Sequence, residues 1–403
     1  MSEWRKLPLK EITVKIGSGS TPTGGSGAYK ETGVSLIRSQ NVLDFSFTNN
    51  GLAFIDEEQA HALRNVIVEP QDVLLNITGD SVARCCSAPN EWLPARVNQH
   101  VAIIRANPKH LESLFLKYSL ISIKDELLSL SEIGGTRNAL TKSMLENLKL
   151  FVPSVIEQKA IASVLSSLDN KIDLLHRQNK TLESMAETLF RQWFIEDAQI
   201  HWTEKKLSSF GSIICGKTPS KKNSLYFGND VPFLKIPDMH GKVFVFKSTD
   251  NLSFAGEHSQ SKKTIPPGSI CVSCIATVGL VCITDVSMQT NQQINSIIPN
   301  KEYYKYFLYL LMKSMGDELN NLASGGTATL NLNTGDFSNI TFLSPSESEL
   351  KIFHQSISSL FDKLKFNSKQ INIIENLRDT LLTKLMSGEV RVQYAEKAIA
   401  SVA

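Results

Sequence analysis

The stretch IASVLSSLDNKIDLLHRQNKTLESMAETLFRQW, residues 161–193, repeats its apolar side chains at steps that alternate between four and three residues. This alternation is typical of a heptad, in which positions a and d form one seam along a helix. Position d holds Ile161, Leu168, Leu175, Leu182 and Leu189, and position a holds Leu165, Ile172, Asn179, Ala186 and Trp193. The pattern predicts one long amphipathic helix.

A second stretch with the same spacing follows Pro345 and matches the first at an offset of 192 residues. Its d positions hold Phe353, Leu360, Asn367, Ile374 and Leu381, and its a positions hold Ile357, Leu364, Ile371, Arg378 and Leu385. A single amphipathic helix of this kind is also explained as a core helix of its own domain. Two matched helices of about five heptads each favour a coiled coil between them.

Two asparagines in the heptads indicate which way the helices run. In a parallel pairing each amide would face an alkyl side chain, and a buried polar group without a partner costs about 1–3 kcal/mol. An antiparallel pairing sets Asn179 opposite Asn367, and the numbers of every facing pair then total 546. We therefore predict an intramolecular antiparallel coiled coil, with a paired stretch of roughly 50 Å at 1.5 Å per residue. Arg378 falls opposite Leu168, and we expect its stem on the seam and its head in solvent.

The stretches that precede the two helices also repeat each other. The sequence SGSTP at 18–22 matches CGKTP at 215–219, and VNQHVAII matches TNQQINSI, which sets Asn98–Gln99 over Asn291–Gln292. Each half begins with short β-like runs that are broken by Gly, Pro and Asn, and each continues with a helical patch. The repeat predicts an α+β fold with two similar globular mixed α/β domains.

The predicted organisation has five segments. They are a globular domain at 1–153, a long helix at 154–198, a second globular domain at 199–345, a second long helix at 346–388 and a C-terminal tail at 389–403. The antiparallel pairing is expected to relate the two domains by a pseudo-two-fold axis at a fixed spacing. Two similar heads at a fixed spacing suit two separated half-sites on a duplex, and roughly 50 Å corresponds to on the order of 15 base pairs.

The recurring order G-x-T-P, N-Q, G-G-T and P-x-x-x-E-Q-x-x-I resembles the specificity subunit of type I restriction–modification systems, over nearly the whole chain. Its most specific part is PSVIEQKAIASVLSSLDNKID at 153–173; the second copy keeps Glu349 but has Leu350 where Gln158 stands in the first. The resemblance implies two target-recognition domains, each reading one half of a bipartite, asymmetric site in double-stranded DNA.

The resemblance also implies partners and the location of the chemistry. The long helices would form the spacer and dock two methyltransferase (modification) subunits, which bind S-adenosylmethionine and methylate adenine. Restriction/translocase subunits would bring ATP and Mg²⁺. A specificity subunit carries none of this catalysis, so no catalytic residue and no cofactor are expected in this chain.

DNA reading requires Arg or Lys at phosphates, and Arg, Lys, Asn, Gln, Ser or Thr at base edges. Candidates of these types in the first half are Lys30, Arg38, Ser39, Gln40, Asn41, Arg84, Arg96, Asn98, Gln99 and Arg137. Candidates in the second half are Lys217, Lys221, Lys222, Asn223, Lys235, Lys262 and Lys263. The matched positions of Arg38 and Lys235, each at the end of a β-like run, favour a shared DNA-facing role.

Other interpretations of these residues stay open. Paired lysines are also typical of a solvated surface. The two Asn-Gln pairs are equally consistent with turns that close the strand scaffold. The Gly-Gly-Thr triplets at 134–136 and 325–327 suit either a backbone phosphate site or plain hinge turns.

Composition and missing motifs limit the other function classes. The 403 residues carry a net charge of only +2, and no run of 18 apolar residues and no signal peptide are present, so a cytoplasmic protein is expected. The six cysteines include one C-x-x-C, Cys271 and Cys274, inside an apolar run. Buried strand cysteines explain this pair better than a zinc site. No [ND]-P-P-[FY] motif of amino-methyltransferases is found.

One motif indicates a competing function. Residues 211–218, GSIICGKT, match the G-x-x-x-x-G-K-[ST] pattern of a phosphate-binding loop, which would make the chain an NTPase with a coiled-coil arm. Pro219 directly follows, and proline disfavours the helix that such a loop must start. The first half repeats only G-x-T-P, with Val14 and Ser20 in place of Gly211 and Lys217. Further alternatives are a structural adaptor without nucleic acid and a subunit of a related (type IIB/IIG-like) restriction system.

Overall fold

A computed structural model describes residues 4–132, 138–324, 330–390 and 392. The chain divides into two compact units. Unit 1 comprises Met1–Asp173 and Ile373–Ala403, and unit 2 comprises Leu174–Asn372. Arg137 and both Gly-Gly-Thr triplets lie outside the described residues, as does most of the predicted C-terminal tail. Within the described ranges, no helix combines the length and the apolar character needed to cross a membrane.

The described residues of unit 1 form ten strands, the first six helices and the end of the last helix. The strands are β1 (Arg5–Pro8), β2 (Thr13–Ser18), β3 (Val34–Ile37), β4 (Ala53–Ile55), β5 (Ile67–Val68), β6 (Val73–Asn76), β7 (Cys85–Ser87), β8 (Ala95–Val97), β9 (Val101–Ala106) and β10 (Lys149–Val152). The helices are α1 (Leu9–Ile12), α2 (Glu57–Ala62), α3 (Ser113–Ser122), α4 (Lys124–Glu132), α5 (Lys142–Asn147) and α6 (Val155–Arg191), and α6 continues into unit 2.

In the part of unit 2 that the structure describes, the next ten strands and six helices follow. The strands are β11 (Thr203–Lys206), β12 (Gly211–Cys215), β13 (Phe227–Leu234), β14 (Phe244–Val245), β15 (Asn251–Leu252), β16 (Ile270–Ser273), β17 (Val281–Thr284), β18 (Gln289–Thr290), β19 (Ile294–Pro299) and β20 (Thr341–Ser344). The helices are α7 (Ile236–Met239), α8 (Phe254–His258), α9 (Lys305–Ser314), α10 (Gly316–Ala323), α11 (Thr334–Ser338) and α12 (Glu347–Met386), and α12 continues into unit 1.

The two units share one strand topology, as the sequence repeat predicts. The sheet β2-β9-β6-β7 of unit 1 corresponds to β12-β19-β16-β17 in unit 2, where β14 adds a fifth strand. The parallel pair β3/β8 corresponds to β13/β18, and the two-stranded sheet β1/β10 corresponds to β11/β20. The predicted mixed α/β class is therefore confirmed, and so is the internal repeat.

Strand burial explains why these segments form sheets. In β3 (VSLI) and β6 (VLLN) all four residues are buried, so both faces of each strand are covered, and three of the four residues in each are apolar. β10 alternates exposed and buried residues, which is the pattern of a strand with one face in water. The central sheets therefore form the cores, and the β1/β10 and β11/β20 sheets lie where α6 and α12 begin.

In unit 2 the helices α6 and α12 pair antiparallel. Asn179 Nδ2 donates to Ser368 Oγ at 3.2 Å, and Asn367 Nδ2 donates to Gln178 Oε1 at 3.3 Å. The rings of Trp193 and Phe353 lie 5.6 Å apart. These contacts agree with the expected register. The two amides do not bond each other, however: both Oδ1 atoms are buried without a hydrogen-bond partner among the described residues, so the prediction of mutual satisfaction is wrong.

The same antiparallel pairing occurs in unit 1, where Arg378 Nη1 lies 3.2 Å from Asp169 Oδ1. Arg378 is only 9% exposed, so the expectation that its head reaches solvent is wrong. The reason is that α6 provides a carboxylate one residue beyond Leu168, and an ion pair there replaces hydration of the guanidinium.

Replacing both Asn179 and Asn367 with leucine is expected to stabilise unit 2 by about 1–3 kcal/mol, because two buried oxygens without partners are removed. The two side chains that accept from the amides are not left without a partner: Gln178 is exposed to water, and Ser368 Oγ also donates to Leu364 O. Denaturant unfolding monitored by circular dichroism measures the change. The control is Asn376→Leu at an exposed position of α12, which should shift stability by less than about 0.5 kcal/mol. A loss of stability in the double variant would show that the buried oxygens are satisfied.

Candidate nucleic-acid interface

The G-x-T-P segment forms the same turn in both units. Thr21 Oγ1 donates to Gln99 Oε1 in unit 1, and Thr218 Oγ1 donates to Gln292 Oε1 at 2.6 Å in unit 2. In unit 1 the Gly19 N–H also donates to Asn98 O at 3.1 Å. Each turn is therefore fastened to the Asn-Gln pair that precedes a central strand, β9 or β19. The two motifs that repeat in the sequence are therefore in contact in the structure. We call this contact between the G-x-T-P turn and the Asn-Gln pair the lock.

Glycine is required in this lock because two backbones come close together. A Cβ on Gly19 would lie 1.6 Å from Val97 O, and a Cβ on Gly216 would lie 2.2 Å from Asn291 O. Neither approach leaves room for a side chain. This close approach of two backbones, which occurs in both units, is sufficient to explain why glycine recurs. A role in binding a ligand is not needed to explain it.

Arg38 and Lys235 also occupy equivalent positions, each directly before a short helical turn. The Arg38 N–H donates to Asn41 Oδ1 at 3.0 Å, and the Lys235 N–H donates to Asp238 Oδ2 at 3.3 Å. Their side chains are engaged within the fold. The Arg38 guanidinium donates to Gly51 O and lies over the Tyr29 ring, and Lys235 pairs with Asp250. These contacts hold the turn and reduce what either cation can offer to DNA.

Three further candidates are corrected by their burial or their contacts. Asn41 is fully buried, and its Nδ2 donates to Thr48 O and Asn50 O. Asn98 is 4% exposed, and its Oδ1 accepts from the His100 N–H. Arg96 donates to Ala60 O and Ala95 O, and desolvation by burial lowers its pKa. The Asn41 and Asn98 side chains are therefore buried within the domain, and the half-buried Arg96 guanidinium is engaged by backbone carbonyls.

A groove of about 890 Å³ on unit 1 brings three predicted candidates together, Ser39, Gln40 and Arg84. The Arg84 side chain forms no ion pair with the described residues, so its donors are available. The groove also contains polar residues that the sequence reasoning missed, Thr78, Ser81 and His100, together with Asp80. His100 Nδ1 lies 2.5 Å from Thr78 Oγ1, which fixes the ring at the edge of the groove.

The equivalent surface of unit 2 has different residues on the same scaffold. The Ile77 N–H donates to His100 O in unit 1, and the Cys274 N–H donates to Gln293 O in unit 2, which identifies Gln293 as the counterpart of His100. By the same hydrogen-bond pattern, Arg84 corresponds to Leu280. Thr78 corresponds to Ile275, because the two residues bridge equivalent segments. The scaffold repeats while the residues that face outward do not.

The cationic candidates of unit 2 lie next to its G-x-T-P turn or on a short helical turn. Lys217, Lys221, Lys222 and Lys262 are exposed and Lys263 is half-exposed, and the structure gives them no ion pair with the described residues. Asn223 uses its Oδ1 to accept from the Leu225 N–H and so caps a short turn. In unit 1, by contrast, Lys30 pairs with Asp56 at 3.3 Å, and Gln40 donates to Gly51 O.

The nucleotide-loop interpretation of residues 211–218 is wrong. Gly211 is the first residue of strand β12, and no α-helix begins at Thr218; the next regular segment is the 3₁₀ turn Ser224–Tyr226. A phosphate-binding loop requires a helix N-terminus whose N–H groups point at the anion. Without that helix, Lys217 is an exposed lysine beside a structural turn.

Five of the six cysteines are buried: Cys85, Cys86, Cys271 and Cys282 lie in strands, and Cys274 directly follows β16, whereas Cys215 of β12 is half-buried. Cys271 and Cys274 are at most 1% exposed, and all six thiols are free. Burial raises the pKa of Cys274 to about 11 and that of Cys86 to about 12, so both stay protonated at neutral pH. Among the described residues, no group of three or more His, Cys, Asp or Glu is placed to hold a metal ion.

Comparisons with known proteins point to one family. The sequence model of the type I restriction modification DNA specificity domain matches residues 1–184 and again 199–376. The chain is 33% identical, over 97% of its length and 100% of the relative, to the type I restriction enzyme HindI specificity subunit of Haemophilus influenzae. It is 25% identical, over 97% of its length and 94% of the relative, to the type I restriction enzyme MjaIX specificity subunit of Methanocaldococcus jannaschii.

A solved structure shares the fold. The crystal structure of the type I restriction–modification system S subunit from M. genitalium aligns with a TM-score of 0.58 over 95% of this chain and 96% of that one, at 16% identity. At that identity the likeness concerns the fold alone, and it agrees with the two-unit, repeated architecture described above.

Gly19→Ala is expected to destabilise unit 1 by about 3 kcal/mol, because the new Cβ meets a backbone carbonyl that cannot rotate away. The matched control is Gly17→Ala two residues earlier, where nothing lies within 4 Å of the added Cβ. Thermal unfolding of both variants measures the difference. Equal melting temperatures would mean that the turn has room to relax and that the close approach is not a constraint.

Proposed function

The chain belongs to the type I restriction modification DNA specificity family, and we propose that it is the non-catalytic subunit that reads DNA sequence in a type I restriction–modification complex. Unit 1 and unit 2 each read one half of a bipartite, asymmetric duplex site. The single observation that carries this proposal is the repeated scaffold with different residues on its reading surface.

The repeated lock and the unlike surfaces have separate roles. The turn fastened by Thr21 and Gln99, and its counterpart in unit 2, positions equivalent strands in both units. On that frame, unit 1 presents Thr78 and Arg84 where unit 2 presents Ile275 and Leu280. Two half-sites of different sequence require this combination, because a shared frame with identical surfaces would read a symmetric site.

The groove of unit 1 has the chemistry that base reading needs. Arg84 can donate two parallel hydrogen bonds to a guanine edge, Ser81 can donate and accept, and Gln40, whose Nε2 donates to Gly51 O, can accept through its Oε1. In unit 2 the exposed lysines beside the G-x-T-P turn, Lys217, Lys221 and Lys222, suit phosphate contacts, which position the protein without specifying sequence.

The partner proteins are part of the proposal. The long helices dock two methyltransferase subunits, which bind S-adenosylmethionine, and restriction/translocase subunits that use ATP and Mg²⁺; the complex works on DNA in the cytoplasm. Each unit leaves large apolar side chains exposed near the start of its long helix, Phe151 and Ile156 in unit 1 and Leu343 and Ile352 in unit 2. Exposed apolar side chains at comparable places suit the docking of one kind of partner twice. No observation favours a type IIB/IIG-like system.

Arg84→Ala is expected to relax sequence preference in one half of the site and to weaken binding of the best duplex about tenfold, which is within the value of one bidentate base contact. The measurement is selection from a randomised duplex library by the complex with its modification subunits, at physiological salt. Lys10→Ala, an exposed cation that donates to Asn147 away from the groove, should leave the selected sequence unchanged. Equal binding of all duplexes by the unaltered complex would contradict the proposed function.

Lys217→Ala is expected to weaken binding of all duplexes alike and to lower the slope of log K against log salt by about one, as the loss of one phosphate contact does. Titrations over a series of salt concentrations measure the slope. Glu204→Ala on the edge strand β11 is the control for altered surface charge. ATP binding by the isolated chain that disappears in Lys217→Ala would instead restore the nucleotide-loop interpretation.

A further inference from the structure

Unit 1 buries a cluster of charges that links both long helices to the globular part. Asp169 of α6 accepts hydrogen bonds from Lys117 Nζ at 2.9 Å and from Tyr118 OH at 2.6 Å, both on α3. Its other oxygen lies 3.2 Å from Nη1 of Arg378, on α12. Asp169 and Arg378 are largely buried, so their attraction is little screened by water or salt.

Arg378 also contacts the globular part directly. Its guanidinium carbon lies 3.6 Å from the centroid of the Phe45 ring, a short cation–π contact. Phe45 has a φ of 67°, a conformation that is unusual for a bulky residue and that persists only where the surroundings fix it. The Phe45 N–H donates to Cys85 O at 3.0 Å. Phe45 is thus held between this hydrogen bond on its backbone and the guanidinium on its ring.

Phe45 does not line the groove itself but is connected by hydrogen bonds to both groups of residues that do. Its backbone partner Cys85 directly follows Arg84 on one wall. On the other side, Asn76 Nδ2 donates both to Ser39 O at 2.9 Å and to Val42 O at 3.3 Å, which ties the Ser39–Asn41 turn to the start of the loop that carries Phe45. These hydrogen bonds provide a route by which a displacement of Phe45 reaches both groups of groove residues.

In unit 2 the positions of the long helices that are equivalent to this ion cluster hold different kinds of residue. The helix positions equivalent to Asp169 and Arg378 hold Phe361 and Ala186. Phe361 stacks on Tyr306 at 4.1 Å and meets the edges of Phe244 and Tyr309, at 6.4 and 5.7 Å. At these two positions unit 2 therefore has an aromatic side chain and an alanine instead of an ion pair, and its own charged contact between a long helix and α9, Lys313 with Glu183 and Glu187, lies at other positions.

We propose that Arg378 is a positioning residue for DNA reading by unit 1. Its guanidinium, oriented by Asp169, holds Phe45 in its left-handed conformation and so sets the spacing of the groove walls that carry Gln40 and Arg84. The inference rests on the proposed function of that groove. It gives a residue of the second long helix control over the half-site that is read by the N-terminal part of the chain.

The test uses the complex of the full chain with its modification subunits and selection from a randomised duplex library. The half-site of unit 1 is the half whose preference changes with Arg84→Ala. Arg378→Met, which keeps the apolar stem and removes the charge, is expected to reduce discrimination in that half about tenfold and to leave the other half within about twofold. Arg378→Lys keeps a cation and should recover part of the loss.

Phe45→Leu removes the ring and leaves the contacts of Asp169 with Lys117 and Tyr118 in place, so it tests the same link without opening the ion cluster. It should reproduce the loss seen for Arg378→Met, and it carries the test if Arg378→Met does not assemble. Phe361→Leu, at the unit 2 position equivalent to Asp169, is the control for altered packing of a long helix, and it should leave the unit 1 half unchanged.

The outcomes separate two failures. Discrimination that falls equally in both halves, or in neither, for assembled Arg378→Met and Phe45→Leu complexes contradicts the positioning role and leaves the proposed function intact. An unaltered complex with no preference in either half contradicts the proposed function, and the inference falls with it.

Discussion

The antiparallel contact between α6 and α12 is the interaction on which the rest of the structure depends, because each unit takes part of its core from both helices. In unit 2 the core includes Ala186 and Phe190 from α6, and Phe353 and Leu364 from α12. In unit 1 the buried seam residues include Leu165 from α6 and Leu385 from α12. Burying one such large apolar side chain contributes about 1.5–3 kcal/mol. Neither globular part is therefore complete without both long helices.

The sequence was sufficient for the helices and insufficient for their polar contacts. Heptad spacing depends only on which positions are apolar, so it predicts the two helices, and the seam positions of Asn179 and Asn367 add the antiparallel direction and the register. Spacing does not show in which direction a side chain points, nor which polar groups of neighbouring residues lie close enough to bond it. The amides therefore bond to neighbours of each other, and Arg378 finds Asp169 rather than water. The predicted register thus agrees with the structure, whereas the mutual hydrogen bonding of the two amides and the exposure of the Arg378 head were predicted wrongly.

For the candidate interface, the repeat revealed the frame rather than the reading surface. Positions that match in both halves, such as Thr21 with Thr218 and Gln99 with Gln292, are the ones that fasten strands. Positions that face the groove differ between the halves, so matching the halves gives no signal for Thr78 or His100. Residue type alone also selected Asn98, because an amide that stabilises a turn and one that reads a base look alike in sequence. Burial is what separates them, and burial depends on the fold.

The division of the chain has a consequence for the order of events during synthesis. Unit 2 is one continuous stretch, Leu174–Asn372, whereas unit 1 needs Ile373–Ala403 in addition to its N-terminal part. Most of unit 1 is therefore synthesised first, whereas the part of α12 that covers Leu165 and Ile161 is synthesised after unit 2. Domains generally form as units while the chain emerges. The N-terminal part is made first, but one face of its long helix stays uncovered until Ile373–Ala403 has been synthesised. Unit 2 can therefore fold before unit 1 is complete.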